Sequence, residues 1–509
     1  MAILRYTASA DNTITNAFKA NLITRGTGSN MGYADSLEIF SIYGQESGSA
    51  GQSQELSRAL IQFPVTAISS DRTAGVIPAS GSVSFYLKMY NAEHPFTLPQ
   101  DFNLVVAPIS RSWTEGSGLD MDEYRDIGFS NWISASSTTG WTNVGGDYLA
   151  QNNFNISFPQ GYEDLEVDVT TVVENWITGA AGGQYNNYGF GIRLTASQEA
   201  YFSSSAGVNS GSLIQNTVGA NQSYYTKKFF ARSSEFFFKR PVIEARWDSR
   251  VMDDRENFHF SSSRAPAADN LNTLQFYNYI KGRLRNVPSL GTGSVLVSFF
   301  SSSFGSPTGS ALSLQAGGSV ASAGDTNATG SYVSTGIYSC DVALTAASTP
   351  LLEIHDVWHY NGVEFFTGSF FPELMPTYDS APTFNRITSC KNLKKSYSKQ
   401  DTARFRFFVR DRNWSPTIYT VATANNPTDI IESASFSISR VIDNFLAIPY
   451  GTGSDYSTYL SYDKEGNFFD LDMSLLESDY MYEIKLSYYN DSIGDWQEQP
   501  QTFKFRVEE

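Results

Sequence analysis

Cysteine and histidine are scarce in this chain. Cys340 and Cys390 stand alone among 509 residues, and only four histidines accompany them. Two cysteines cannot form a disulfide framework for a chain of this size, so bridges are not the expected stabilising device. Their scarcity leaves the compartment open, because robust extracellular proteins also dispense with cysteine. With so few histidines and no G-x-S-x-G, P-loop or C-x-x-C motif, a hydrolytic triad is not expected. No run of about 18 apolar residues occurs, so no transmembrane helix is expected. The opening MAILRYTASADNTITNAF has neither a basic flank nor a leader-like apolar core, so the usual secretory route is not expected either. Charge is low, at 17% of residues, and its balance is acidic, with 52 acidic against 35 basic side chains and a net charge of −17. That excludes the broad basic footprint of a nucleic-acid binder and favours solubility.

What remains is aromatic and turn-rich. Aromatics make up 14% of the chain, among many Ser, Gly, Asn and Thr residues, with no heptads. Such a composition suits pleated, half-buried strands joined by turns. The length predicts two to four domains. Residues 1–248 contain SLEIFSIYG, RALIQFPV, GSVSFYLKMY, FNLVVAPI, GFGIRLTA and PVIEARWD; RALIQFPV and GSVSFYLKMY alternate as strands facing a core on one side. Residues 249–382 add SVLVSFFSSSFG, TGIYSCDVAL and TPLLEIHDVWHY around an exposed loop, SLQAGGSVASAGDTNATGSY. Residues 383–509 run from ARFRFFVRDRNW to QTFKFRVEE, and LLESDYMYEIKL resembles the corner into a late immunoglobulin or fibronectin type III strand. The expected fold is all-β: three consecutive β-sandwich domains, 1–248, 249–382 and 383–509, the last immunoglobulin/fibronectin III-like.

One stretch departs from this pattern. In DVTTVVENWITGAAGGQYNNYGFGIRL, Val172, Val173, Trp176 and Ile177 share one face of a two-turn helix. Asp168 or Thr170 is placed to cap its start and Gly179 to end it with positive φ.

Residues 1–248 resemble the DNRLRE family of β-sandwich domains, related to carbohydrate-binding modules. The resemblance is carried by Asp11, Asn30-Met31-Gly32, SRALIQFPV, SWTEG, GWTNVGGDY, DVTTVVENWITG with NNYGFGIRL, and FFARSSEFFFKRPVIEARW. The namesake Arg-Glu is loosened to Arg232-Ser-Ser-Glu235. It implies that the short helix plugs one end of the first sandwich with Trp176 buried in it, and that Asn187 and Gly189 turn the chain into the next strand. The remainder resembles virion structural proteins of contractile-tailed marine cyanophages, on KNLKKSYSKQDTARFRFFVRDRNWSPTIYT, GNFFDLDMSLLESDYMYEIKL and the terminal FKFRVE.

The candidate chemistry is modest. Trp113, Trp132 and Trp141 gather in one loop region of the first domain and could stack on sugar rings, or cap the core. Glu115 and Asp147 could pair as acid and base, although the resemblance makes both turn-stabilising residues. His355 and His359, in HDVWH, share a face, but the metalloprotease Glu is missing, and a surface histidine pair is expected. The acidic clusters 119–126, 161–168 and 253–257 lack the spacing of a calcium loop, so no metal ligand is assigned. Lys391, Lys394, Lys395, Lys399, Arg404, Arg406, Arg410 and Arg412 form a locally basic stretch ahead of an acidic one: a solvated strand face, a contact with an acidic neighbour or, as a minor third reading, a nucleic-acid contact. The expectation is a non-enzymatic virion protein without cofactors, at the neck, tail or capsid. It would be assembled in the host cytoplasm, homo-oligomeric and docked on other virion proteins, with no membrane or nucleic-acid partner. The alternative is a glycan-binding adhesin or receptor-binding component using the tryptophan loops.

Overall fold

A computed structural model describes residues 2–44, 54–93, 99–119, 129–179, 186–303, 305–315, 324–346, 351–375, 386–418, 421, 428–451, 453–490 and 493–509. The chain divides into two compact units, Ala2–Asp248 and Ser249–Glu509. Both are built almost entirely from antiparallel strands. The expected boundary at 382/383 and residues 316–323 of the loop expected over 313–332 lie outside the described residues; the end of that expected loop belongs instead to the strand Asn327–Ser334.

The first unit contains β1 (Ile3–Thr7), β2 (Ala10–Thr15), β3 (Ser36–Ile42), β4 (Glu55–Gln62), α1 (Val65–Thr73), β5 (Ser84–Met89), β6 (Phe102–Pro108), β7 (Phe154–Phe158), β8 (Leu165–Asp168), α2 (Thr170–Thr178), β9 (Phe190–Leu194), β10 (Tyr224–Phe230) and β11 (Val242–Arg246). A four-stranded sheet, β1-β11-β5-β8, shares one core with a seven-stranded sheet, β10-β3-β4-β9-β6-β7, in which β2 also pairs with β4. Leu37, Ile61, Phe85, Leu87, Phe190 and Ile243 fill that core. The alternation of RALIQFPV is misleading about its outer face. Ala59 and Ile61 face the main core, but Leu56 and Leu60 face a second apolar layer, so β4 is buried on both sides.

Helix α2 buries Val172, Val173 and Trp176 and ends at Gly179 with φ 60°, as the spacing predicts. Trp176 packs on Phe190, 4.8 Å between centroids. The start differs from expectation: the N-cap is Val169, whose side chain makes no capping bond, while the Asp168 carboxylate accepts from the Thr170 N–H at 2.9 Å. A partner helix, α1, was not expected. The Arg72 guanidinium of α1 meets the Glu174 carboxylate of α2 with two 2.6 Å hydrogen bonds. The plug is therefore a helix pair.

The turn after α2 explains the Asn-x-Gly sequence. The Asn187 side chain donates to the Phe63 carbonyl at 2.7 Å, and Gln62 returns a bond to the Asn187 carbonyl. Gly189 has φ 80°, and a Cβ there would overlap the Ile61 carbonyl oxygen. Gly189→Ala should therefore destabilise the first unit by about 2–4 kcal/mol, through strain plus backbone displacement. A urea melt of the variant against wild type measures it.

In the second unit, a seven-stranded sheet runs in the order Asn272–Tyr277, Ile337–Val342, Asn327–Ser334, Val295–Ser303, Ile354–Tyr360, Val363–Phe370, with Ser306–Thr308 paired to Val295–Ser303. Its core also takes in Phe258 and Phe260, beside the short parallel pair His259–Phe260 and Glu373–Leu374. Two further sheets follow the immunoglobulin order. One is Arg386–Cys390, Thr402–Asp411, Gly466–Asp472, Ser461–Asp463; the other is Ser396–Ser398, Asp495–Glu508, Met481–Asn490, Ala434–Arg440, Leu446–Ile448. Aromatic rings interlock between them: Phe405 with Phe505 at 5.3 Å, Phe407 with Phe503 at 5.4 Å, and Phe436 parallel to Phe469 at 3.7 Å. Tyr482 donates its hydroxyl to the Glu477 carbonyl at 3.0 Å and accepts from the Glu477 N–H at 3.0 Å. This is the tyrosine corner that LLESDYMYEIKL suggests.

Candidate functional site

The tryptophan region is closed. Trp132 is fully buried, and Trp113 and Trp141 are 7% exposed. Each indole N–H donates to a backbone carbonyl: Trp113 to Tyr188 at 2.8 Å, Trp132 to Ser212 at 2.7 Å, Trp141 to Asn131 at 2.8 Å. With Ile14, Leu56, Leu60 and Ile109 they form the second apolar layer on the seven-stranded sheet. The sugar-stacking expectation for these three residues is corrected: their rings are spent on this layer.

Arg58 pins that layer. Its guanidinium donates to both Glu199 carboxylate oxygens, at 2.9 and 2.7 Å, and to the Gly145 carbonyl at 3.0 Å. It lies 5.4 Å from the Trp132 ring centroid and 5.7 Å from that of Tyr148.

Glu115 and Asp147 are likewise committed. Asp147 accepts from the Thr142 and Asn143 N–H groups at 2.9 Å and from Arg111 Nε at 2.7 Å. These bonds hold its carboxyl below the usual range against the opposing effect of burial. Glu115 accepts from the Asp11 N–H at 2.8 Å and takes both oxygens to Arg232 Nη2 at 2.9 Å. Asp11 accepts from the Arg232 N–H at 2.6 Å. SWTEG through Glu115, strand β2 through Asp11 and the loosened motif through Arg232 therefore meet in one polar lock.

Burial pushes the Asp11 carboxyl up to about 7, with the nearby Glu115 charge adding to the rise and the Arg232 N–H opposing it. A carboxyl whose folded pKa lies above its unfolded value binds more protons when folded. The associated stability is present at low pH and lost as pH rises towards 7. The first unit should gain on the order of 2 kcal/mol between pH 8 and pH 5.5. Asp11→Asn should flatten that profile. Thermal melts of both proteins across this range check it.

Within the basic stretch, the three strand arginines form a paired face. On Thr402–Asp411, Arg404 meets Asp470 at 2.7 and 2.9 Å. Arg406 meets Asp463 at 2.5 and 2.9 Å, and Arg410 donates to the Trp414 carbonyl at 3.4 Å. Lys391 is exposed, 5.0 Å from the Phe408 centroid, and its ammonium donates to the Glu465 carbonyl at 3.4 Å. Lys394, Lys395 and Arg412 are exposed and Lys399 is half-buried.

The histidines and acidic clusters have local roles. His355 is 5% exposed, so it is not part of a surface pair; its Nε2 lies 3.2 Å from Ser302 Oγ and its Nδ1 3.2 Å from the Gly368 carbonyl. His359 Nε2 lies 2.8 Å from Ser298 Oγ. In the 161–168 cluster, Glu163 accepts from the Gln160 N–H, Asp164 from the Asn91 N–H, and Glu166 pairs with Lys88 and Arg246. The 119–126 cluster lies almost wholly outside the described residues. Among the described residues, no group of three His, Cys, Asp or Glu side chains is placed to hold a metal ion.

The third cluster, 253–257, leads to a feature that sequence reasoning missed. Arg255 sits between two buried carboxylates. Its Nη2 donates to Asp356 at 2.5 Å, and its Nη1 donates to Asp253 and to the Gln275 carbonyl, the latter at 2.7 Å. Trp358 Nε1 donates to Asp356 at 2.7 Å. Burial raises the Asp253 carboxyl to about 6, with Arg255 pulling it down and Asp356 pushing it up. A cleft of about 330 Å³ opens beside this network, lined by Arg255, Gln275, Tyr277, Tyr279, Phe366 and Arg406 among others. The available signal was Asp356 itself, a carboxylate in register with core-facing Ile354 and Trp358.

No family model matches the chain, and no curated protein matches its sequence. Solved structures that match include trypsin-activated alpha-2-macroglobulin from Escherichia coli, 10% identical over 82% of this chain and 29% of that one, with a TM-score of 0.15. Salmonella alpha-2-macroglobulin reacted with methylamine is also 10% identical, over 99% of this chain and 34% of that one, with a TM-score of 0.14. The chain thus spans about a third of their length, and likeness at this level carries no argument.

Proposed function

We propose that this chain is a non-enzymatic structural component of a tailed-phage particle, placed at the neck, tail or capsid and docked on repeated subunits. The observation that carries the reading is the way polar groups are used. The arginines and carboxylates that catalysis would leave free for a substrate are instead joined in bidentate pairs that lock strands and loops: Arg58 with Glu199, Arg232 with Glu115, Arg72 with Glu174, Arg404 with Asp470. Such pairs rigidify β-sandwiches at the expense of reactivity. The resemblance of the remainder of the chain, after residue 248, to virion proteins supports the same reading, and repeated copies would give avidity to individually weak contacts.

Docking is assigned to the exposed lysines Lys391, Lys394 and Lys395, which the immunoglobulin-like sheets leave at the surface. An acidic neighbour, including a second copy of this chain at net charge −17, is the complementary partner. Amine-to-carboxyl cross-linking of intact particles followed by peptide mass spectrometry tests it. Links from these lysines to one acidic surface are expected; particles in which all three react freely with a small amine reagent and link to nothing would contradict the assignment.

A further inference from the structure

We propose that the cleft beside Arg255 in the second unit binds a neutral saccharide. Four observations converge on that class of ligand. The first concerns hydrogen-bonding groups left over. Gln275 is 5% exposed and its Nε2 donates to the Met252 carbonyl at 3.0 Å, yet its Oε1 has no partner among the described residues. The buried Tyr277 hydroxyl has none either. Both line the cleft. An unpartnered buried acceptor is costly, and a ligand rich in hydroxyl donors relieves that cost.

The second is the aromatic wall. The Tyr277 and Tyr279 rings lie nearly parallel, 6.5 Å between centroids and 19° between planes, and Tyr279 is 56% exposed. Phe366 contributes a third ring, 36% exposed. The negative face of an aromatic ring attracts the weakly positive C–H face of a pyranose, so such a wall holds a sugar flat.

The third is charge. Asp253, Asp463 and Glu465 line the cleft, and Asp356 and Asp470 pair with its arginines; against these five carboxylates stand Arg255, Arg404, Arg406 and Lys464. The balance is close to neutral, which favours neither an anion nor a metal ion. The cleft still presents fixed planar donors and acceptors of the kind a polyol uses. The fourth is size: about 330 Å³ lies at the lower end of small-molecule sites and accommodates a mono- or disaccharide.

This site is distinct from the buried tryptophans of the first unit, and it does not depend on where the protein resides. The test uses the purified full chain on an array of neutral, sialylated and sulphated oligosaccharides, with the retained sugar then titrated calorimetrically. Retention on neutral glycans is expected. Tyr279→Ala, at an exposed position, should weaken binding roughly tenfold through lost stacking. Tyr277→Phe removes only a hydroxyl without a partner in the described chain, so it should weaken binding several-fold while leaving the melting temperature unchanged or raised. Retention of no neutral glycan, retention of acidic glycans alone, or unchanged affinity in both variants would overturn the proposal.

Discussion

Replacing Arg255 by alanine should lower the stability of the second unit by about 3–5 kcal/mol, because two carboxylates are left inside without their cation. Asp356 is fully buried and Asp253 is 3% exposed, so neither gains useful hydration when the guanidinium is removed. Trp358 would keep its bond to Asp356, but a single indole N–H cannot neutralise a buried charge. For a unit of this size the loss corresponds to a fall of about 10 °C in its calorimetric transition. Two companions sharpen the expectation. Asp253→Asn with Asp356→Asn in the Arg255→Ala background should restore a large part of the loss, since the cost is the unpaired charge. The single variant should also lose less at pH 5.5 than at pH 8, because burial already raises Asp253 to about 6 and protonation relieves it. A loss below about 1 kcal/mol would place these groups in solvent and contradict the geometry.

The matching experiment in the first unit is Arg58→Ala, for which a loss of about 3–5 kcal/mol is expected. Glu199, 4% exposed, would lose its two-pronged partner and keep only the nearby Arg193 charge, and Gly145 would lose the donor to its carbonyl. The Trp132 ring would also lose the cation beside it, while Tyr148 would keep Arg193 at 5.4 Å. Arg58→Lys should recover less than half, since an ammonium cannot make the paired bonds to Glu199 while reaching Gly145. Near-ultraviolet circular dichroism reports on the buried indoles, and a chemical melt gives the energy. Equal stability of the lysine variant and wild type would show that charge alone suffices and that the fork of hydrogen bonds is dispensable.

These two arginines mark where the sequence could be read and where it could not. Arg58 sits in an alternating strand and was visible as part of a motif; its partner Glu199 lies 141 residues away, and nothing local connects them. The apolar stripe of α2 and the end at Gly179 were legible because each depends on residues within one or two turns. The tyrosine corner was legible for the same reason: Tyr482 reaches Glu477, five residues upstream. Helix α1 was hidden. VTAISSDRT is rich in β-branched and serine residues with weak helical preference, buries only Val65 and Ile68, and is held by its pairing with α2. The burial of the tryptophans is hidden from the sequence for a related reason. Their loops fold back over a sheet that already has a core on its other face, and alternation within a strand cannot reveal a second covering layer. The cleft was least legible, because its lining comes from residues 253–279, 366–369, 404–406 and 463–465, and it exists only once two sheet systems have folded.

The proposed function makes the chain a fixed part of a phage particle. Quantitative mass spectrometry of particles purified from the source lysate, with labelled-antibody imaging of the same sample, tests it most directly. A constant copy number relative to the major capsid protein and label confined to one location are expected. Absence of the chain from purified particles, with recovery instead from cells or medium, would contradict it.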